Sequence, residues 1–120
     1  MLKTTLLGLI VGTFLLVGAA HAVTNVSCTD SIKSLNKTAT MSFSVMCPVN
    51  CTSGSVWGTD LYTTDSAICV AAVHAGVIKE KGGLVKVSLK PGRPSYQGSF
   101  RNGVTTSQWG SYQQSFKVAP

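Results

Sequence analysis

Acidic residues and histidines are scarce in this chain of 120 residues, and so are the motifs that usually carry catalysis. Four Asp and Glu residues stand against ten Lys and Arg residues, and only two histidines are present. The motif Gly-x-Ser-x-Gly, which places the serine nucleophile of many hydrolases, does not occur. Few residues are therefore available for acid–base chemistry, and we expect a domain without catalytic activity.

Metal binding and histidine-based catalysis are both poorly supported. Cys47 and Cys51 are spaced as in some zinc sites, but no second pair of ligands follows them. His74 could act as a base oriented by Asp60 or Asp65, yet it lies near the end of a predicted helix, where the helix dipole favours a charged histidine. We expect no metal ion, no cofactor and no catalytic residue, and a small hydrolase is only the third hypothesis.

The first 22 residues have the pattern of a signal peptide. Lys3 supplies a positive charge, the stretch from Leu6 to Val17 is apolar, and Ala20-His21-Ala22 offers small residues to a signal peptidase. The apolar run is shorter than the roughly 20 residues that a transmembrane helix needs. The sequence therefore predicts a signal peptide at residues 1–22, one domain at residues 23–120, and a secreted or periplasmic location.

Four cysteines lie beyond this leader, at Cys28, Cys47, Cys51 and Cys69. An even number of cysteines in a small exported domain predicts two disulfides. Four cysteines can pair in three ways, and their spacing does not choose between them. Because the domain is small, these bonds should provide a large share of its stability.

One short helix is predicted near the middle of the chain. Thr64 and Asp65 are suited to its N-cap, and Gly76 followed by Val77 is suited to its C-terminal end. Between these signals one face is marked at helical spacing, by Ile68, Ala71, Ala72 and Ala75. Three alanines on that face allow other elements to approach closely, so we expect the helix to be central and buried.

Short strands are predicted on both sides of the helix. Residues 41–47 and 85–89 alternate apolar and polar side chains. Pro91-Gly92 is predicted to turn the chain, residues 96–100 to form a further strand, and Asn102-Gly103 to form a tight turn. A last strand carries one apolar face formed by Tyr112, Gln114, Phe116 and Val118. The expected fold class is α+β, with one central short helix wrapped by short antiparallel strands and two disulfides.

An ordered series of motifs runs from Val56 to Val118. It consists of VWGTD at 56–60, DSAIC at 65–69, AAVHAGVI at 71–78, GGLV at 82–85, YQGS at 96–99 and NGV at 102–104. With Cys47-Pro48 and Cys51 upstream, this series resembles the LCCL domain, the module named after factor C, cochlin and a late-gestation lung protein. The resemblance covers nearly all of the chain beyond the leader.

The resemblance carries expectations about structure and function. It implies a helix surrounded by β-structure and the disulfides Cys28–Cys47 and Cys51–Cys69. It also implies binding of lipids, lipopolysaccharide or polyanions, without a ligand site that can be transferred residue by residue. LCCL modules usually lie inside longer secreted proteins, beside other binding domains.

Positive charge is concentrated in one window of the sequence. Glu80 is the only acidic residue between positions 79 and 101, whereas six basic residues lie there: Lys79, Lys81, Lys86, Lys90, Arg93 and Arg101. Lys86 and Lys90 should project from the same face of their strand. Such a face attracts anions, although a solvated face that only maintains solubility is an equal alternative. Nucleic acid is not an expected partner, because export separates the protein from it and no recognition motif is present.

Four large aromatic residues could form a platform for sugars or lipid chains: Trp57, Tyr62, Tyr96 and Trp109. Trp57 and Tyr62 flank the predicted helix, and we expect them to fill the core. Trp109 lies in a segment rich in Gly, Ser and Gln, and it is the better candidate for an exposed contact.

These observations leave two main hypotheses. The first is an exported binding module for anionic lipid, lipopolysaccharide or acidic glycan, which uses the basic residues between 79 and 101 together with Trp109. The second is a structural module that binds a protein partner in an envelope or matrix. Oligomeric state is not addressed by the sequence.

Overall fold

The computed structural model describes residues 22–120, in which one short helix packs on a six-stranded sheet. The elements are β1 (Thr24–Asn25), β2 (Ser42–Cys47), β3 (Gly58–Thr59), β4 (Leu61–Thr63), α1 (Ile68–His74), β5 (Gly83–Arg93), β6 (Phe100–Arg101), β7 (Val104–Thr105) and β8 (Tyr112–Ala119). The predicted α+β fold class is confirmed. The predicted signal peptide at residues 1–22 lies outside the described residues, apart from Ala22.

The sheet has the strand order β1-β2-β5-β8-β4-β3. β1 runs parallel to β2, and every other pair of neighbours is antiparallel. β6 and β7 form a separate hairpin. Between residues 22 and 120 the structure contains no helix that is long and apolar enough to cross a membrane.

α1 is buried on all sides, as the alanine-rich face predicts. All seven of its residues are shielded from solvent, and they share one core with Val45, Val85, Val87 and Phe116 of the sheet. α1 therefore packs on one face of the sheet, which we call the inner face. The opposite face is called the outer face.

The predicted start of the helix is wrong, because α1 begins at Ile68 after Ala67 and has no side-chain cap. Its first backbone N–H groups are satisfied by distant carbonyls instead: Ala67 N donates to Ser55 O, and Ile68 N donates to Asp30 O, each at 2.9 Å. The predicted end is confirmed. Gly76 has a φ of 84°, and Val77 N donates to Ala72 O.

The prediction of a turn at Pro91-Gly92 is also wrong, because β5 continues through both residues to Arg93 and stays paired with β8. β2 begins opposite Ser88, and Leu89 N still donates to Met41 O, so β5 is a free edge on that side only beyond Leu89. A proline is tolerated there because no neighbouring strand needs its missing N–H. Gly92 is required by close packing, since an added Cβ would lie 2.0 Å from Tyr112 O.

Residues 96–100 do not form the predicted continuous strand. Tyr96 makes a single bridge to Trp109, and only Phe100 and Arg101 form a strand. The Asn102-Gly103 turn is confirmed: both residues have positive φ, 51° and 79°, which is typical of a two-residue type I′ hairpin.

Two disulfides are present, but their pairing corrects the one implied by the resemblance. Cys28 is bonded to Cys51, and Cys47 is bonded to Cys69. Cys47 follows Val45 on the inner face of β2 and is 3% exposed, directly where α1 presents the fully buried Cys69. Packing of the helix on the sheet therefore selects Cys69 as the partner of Cys47, and Cys28 is left for Cys51 in the loops.

Candidate functional site

The outer face of the sheet carries three exposed lysines from two neighbouring strands. Val85 and Val87 of β5 point into the core, so Lys86 and Lys90 point to the outer face, and both are exposed. On β8, Phe116 is buried and the following Lys117 is exposed on the same side as these two lysines. We call Lys86, Lys90 and Lys117 the basic sheet face.

The register of β5 and β8 determines the spacing of these three lysines. Lys117 lies directly opposite Ser88, which stands between Lys86 and Lys90 on β5. Lys117 is therefore the diagonal neighbour of both other lysines, at roughly 7–8 Å between backbone positions. Lys117 therefore lies within about one Debye length of each of the other two lysines, about 8 Å at physiological ionic strength, whereas Lys86 and Lys90 are about 13 Å apart along β5.

No acidic residue neutralises this face within the described part of the chain. β2, β5 and β8 contain no Asp or Glu. Asp30 accepts a hydrogen bond from Ser27 N at 2.8 Å, and Asp60 pairs with Arg101. Asp65 precedes the helix, and Glu80 lies in the loop before β5. The three lysines therefore present an uncompensated positive potential.

The other basic residues of the predicted site are distributed over separate parts of the domain. Arg101 lies on the β6–β7 hairpin, where its guanidinium donates to Asp60 Oδ1 at 2.7 Å. Arg93 lies at the end of β5 and has the opposite side-chain parity from Lys86 and Lys90. Lys79 and Lys81 flank Glu80 in the loop that follows the helix. Of the six predicted residues, the structure brings together only Lys86 and Lys90 on the sheet.

Lys117 is the residue that sequence reasoning missed. The alternation of apolar residues along the last strand already indicates that Lys117 points away from the apolar face. Which strand lies beside β8, however, is a tertiary property, and no short-range signal gives it. The pairing of β5 with β8 is what joins Lys117 to the predicted lysines.

The aromatic residues are divided between core and surface. Tyr62 is fully buried and packs against Phe116, which confirms its predicted place in the core. Trp57 is only partly buried and meets Trp109 edge to face at 6.1 Å. Trp109 is 51% exposed, so the Trp57–Trp109 pair forms an exposed aromatic surface. Trp109 is bridged to Tyr96, whose hydroxyl lies 2.6 Å from Ser115 Oγ on β8.

His74 is fully buried and has both ring nitrogens in hydrogen bonds. Its Nδ1 lies 2.9 Å from Tyr62 Oη, and its Nε2 lies 3.0 Å from Ser99 Oγ. Burial lowers the pKa of His74 and raises the pKa of Tyr62 to about 12. The expectation of a charged histidine favoured by the helix dipole is therefore wrong, because the ring is neutral in the core.

A chain of hydroxyl groups assigns the tautomer of this histidine. Thr59 Oγ1 donates to Gln97 O, so the short contact of 2.6 Å between Thr59 and Ser99 requires Ser99 to donate. Ser99 Oγ then accepts from His74 Nε2–H, and His74 Nδ1 accepts from the Tyr62 hydroxyl. Every member of the chain is satisfied, which gives His74 a structural role that joins α1 to the β6–β7 region.

Residues 22–120 contain no group of three or more His, Cys, Asp or Glu side chains that could hold a metal ion. All four cysteines are in disulfides.

Comparison with known proteins identifies relatives of this chain. Residues 26–116 match the sequence profile of the LCCL domain. Vitrin of Homo sapiens is 40% identical over 78 residues, which are 63% of this chain and 12% of vitrin. Cochlin of Homo sapiens is 41% identical over 76 residues, 62% of this chain and 14% of cochlin. Clotting factor C of Tachypleus tridentatus is 37% identical over 75 residues, 61% of this chain and 7% of that protein. The matched segment is thus a small part of each relative.

Proposed function

The chain belongs to the LCCL domain family, and from that premise we propose that it is a non-catalytic binding module whose ligand is anionic. The ligand classes that suit this module are anionic lipid, lipopolysaccharide and acidic glycan. The observation that carries the proposal is the basic sheet face, where Lys86, Lys90 and Lys117 share one side of the sheet without an acidic neighbour.

The electrostatics of this face favour a multivalent anion over a single charge. Three lysines on neighbouring strands can each approach a different phosphate, sulfate or carboxylate group, and their rigid strands hold them in register. Each lysine close to an anionic surface contributes about 1 kcal/mol of attraction. A ligand that engages all three therefore gains about 3 kcal/mol, which is on the order of a hundredfold in affinity.

A non-catalytic role is supported by the state of the candidate base. His74 is shielded from solvent, its pKa is lowered by burial, and both of its nitrogens are already hydrogen-bonded. A general base needs a free lone pair within reach of a substrate proton. Because Tyr62 and Ser99 already occupy both ring nitrogens of His74, we infer that binding is the function.

Export from the cytosol is part of the proposal. Both disulfides join segments that are far apart in the sequence, with separations of 23 and 22 residues. Such bonds persist in oxidising compartments and are rare in the cytosol. The leader-like pattern at residues 1–22 agrees with a secreted location.

A protein-interaction module is the second candidate function, and the Trp57–Trp109 surface favours it. Exposed tryptophans that rest on another aromatic ring are enriched at protein interfaces. In that case a protein partner would cover Trp109, and the basic sheet face would only maintain solubility.

The proposed function is tested by binding to three probes: anionic phospholipid vesicles, lipopolysaccharide, and a soluble heparin fragment. The key variant is Lys86→Ala/Lys90→Ala/Lys117→Ala, and the matched control is Lys33→Ala/Lys79→Ala/Lys81→Ala. Both variants lose three exposed lysines and the same net charge. We expect the first variant to lose on the order of a hundredfold in affinity for at least one probe, and the control to lose much less.

The comparison of the two variants decides between a specific face and net charge alone. Equal losses would show that any three lysines serve, and the proposed face would be rejected. If the first variant binds as the wild type does and Trp109→Ala binds more weakly, the aromatic surface and the protein-interaction candidate are favoured. Circular dichroism and thermal unfolding check that both variants remain folded.

A further inference from the structure

Two apolar side chains lie on the outer face beside the basic sheet face. Met46 of β2 and Leu84 of β5 are directly paired across the two strands and are 40% and 42% exposed. We propose that Met46, Leu84 and the basic sheet face form one membrane-docking surface for an anionic phospholipid bilayer. This inference rests on the proposed function and narrows its ligand to a bilayer surface.

The strand register makes the apolar pair and the lysines continuous. Leu84 precedes Lys86 by two residues on β5, and Met46 follows Ser44, the residue opposite Lys86, by two residues on β2. All of these side chains therefore point to the same side of the sheet. From Leu84 to Lys90 the strip extends for roughly 20 Å along β5, at about 3.3 Å per residue.

The composition of this strip matches the layers of a bilayer interface. Lysine side chains have long apolar stems, so they can lie along apolar surface while their ammonium groups stay at the depth of phosphates. Met46 and Leu84 supply the apolar area that can enter the boundary between headgroups and acyl chains. The lysines can therefore contact the anionic headgroups while Met46 and Leu84 contact the boundary with the acyl chains.

A soluble glycan would leave part of this surface without a partner. Acidic sugars provide charge and hydroxyl groups, but they provide nothing for the Met46–Leu84 pair. Sugar binding also commonly uses an aromatic ring as a stacking platform. The outward-facing positions of β2, β5 and β8 carry Met, Leu, Lys, Ser, Gln, Gly and Ala, and the ring of Tyr96, whose hydroxyl bonds Ser115 on this side, is only 5% exposed and offers no open stacking face.

The orientation of the domain on the bilayer follows from the same face. α1 and the disulfide Cys47–Cys69 lie on the inner side of the sheet, so they would point away from the membrane. Trp109 and the β6–β7 hairpin are not among these outward-facing strand positions, and they are not part of the proposed contact. The tested contact is therefore confined to the outward-facing positions of β2, β5 and β8.

The test measures partition of the purified, disulfide-bonded protein onto phosphatidylglycerol-containing vesicles at low and at high salt. Met46→Thr/Leu84→Thr keeps β-forming residues but removes the apolar pair. We expect a loss of roughly tenfold at both salt concentrations, because apolar burial is not screened by ions. The loss caused by Lys86→Ala/Lys90→Ala/Lys117→Ala should instead shrink as salt rises, because charge attraction is screened.

Two further variants give a matched control and a change of opposite sign. Phe100→Thr removes a side chain that is 70% exposed, more than either Met46 or Leu84, but it lies on the β6–β7 hairpin, and partition should stay at the wild-type value. Leu84→Phe enlarges the apolar area and should raise partition severalfold. Circular dichroism and thermal unfolding check that the gain does not come from core residues exposed by unfolding.

The outcomes separate this inference from the proposed function. If the lysine variant loses vesicle binding but Met46→Thr/Leu84→Thr and Leu84→Phe bind as the wild type does, the docking inference is overturned and the proposed function stands. If the wild type binds a heparin fragment but no vesicle, a glycan replaces the bilayer. Absence of binding to every anionic probe overturns both.

Discussion

The buried hydrogen bond between Tyr62 and His74 makes a stability prediction that can be worked through from the structure. Tyr62→Phe removes the hydroxyl that donates to His74 Nδ1 and leaves that acceptor unsatisfied in a site closed to solvent. A buried polar atom that loses its partner costs about 1–3 kcal/mol. At about 2 kcal/mol, the melting temperature of a domain of this size should fall by about 8–16 °C.

The pH dependence of this loss has a defined sign. His74 is the only histidine among residues 22–120, and burial lowers its pKa in the folded state below the ordinary value of 6.5. The unfolded chain therefore binds a proton first, so the stability that neutral His74 contributes is present above pH 6.5 and is lost as pH falls toward the folded-state pKa. The slope in that window approaches about 1.4 kcal/mol per pH unit for one proton. Nearby Arg101 also lowers the pKa of His74 and Asp60 raises it, and these two smaller influences oppose each other.

The two effects combine in a single assay. Urea unfolding of the wild type and of Tyr62→Phe is measured from pH 7.5 down to pH 5, above the ordinary range of the carboxylates, about 4. In the variant no hydroxyl donor faces Nδ1, so protonation of His74 is opposed less and its folded-state pKa should rise. We expect the difference in stability between the two proteins to be largest at pH 7.5 and to shrink toward pH 5. Parallel curves, or a variant as stable as the wild type, would refute the assigned hydrogen-bond chain.

Three shorter predictions address other parts of the structure. In Cys28→Ala/Cys51→Ala the Cys47–Cys69 disulfide stays closed, so a thiol titration should find no free thiol. Loss of the other disulfide should lower the free energy of unfolding by about 3 kcal/mol. Detection of two free thiols would contradict the pairing. Gly103→Ala should lower the free energy of unfolding in urea by about 1–2 kcal/mol, because Gly103 has a φ of 79°. Gly110→Ala is the control and should be neutral, because Gly110 has equally open space around an added Cβ but no positive φ. Equal effects of the two substitutions would contradict the explanation by backbone strain. Asp60→Asn breaks an exposed ion pair with Arg101 and should cost less than about 1 kcal/mol while vesicle binding stays unchanged; weaker vesicle binding would place this region in the site.

Local patterns in the sequence predicted the elements whose signals are local. Alternating residues located β2, β5 and β8, the Asn102-Gly103 pair located the β6–β7 hairpin, and Gly76 located the end of α1. Each of these signals acts within a few residues, through side-chain parity or a positive φ. The family resemblance supplied the fold class in addition.

The predictions that were wrong concern features that depend on contacts between residues far apart in the chain. α1 begins at Ile68 because the carbonyls of Asp30 and Ser55 receive its first donors, and nothing near Thr64 signals those contacts. The strand through Pro91 and Gly92 is possible because β2 does not reach them and β8 passes close by. Likewise, the division of the six basic residues and the addition of Lys117 follow from which strands are neighbours. The sequence predicts an excess of positive charge, but the strand order of the sheet is needed to identify which lysines form the site.

The central claim is that ligand contact occurs on the outer face of the sheet, at Lys86, Lys90 and Lys117. Backbone amide NMR spectra recorded while anionic phospholipid bicelles are added would locate that contact directly, without any substitution. We expect the largest shift changes at Lys86, Ser88, Lys90 and Lys117, extending to Leu84 and Met46. Largest changes at the Lys79–Lys81 loop, or around Trp57 and Trp109, would contradict it.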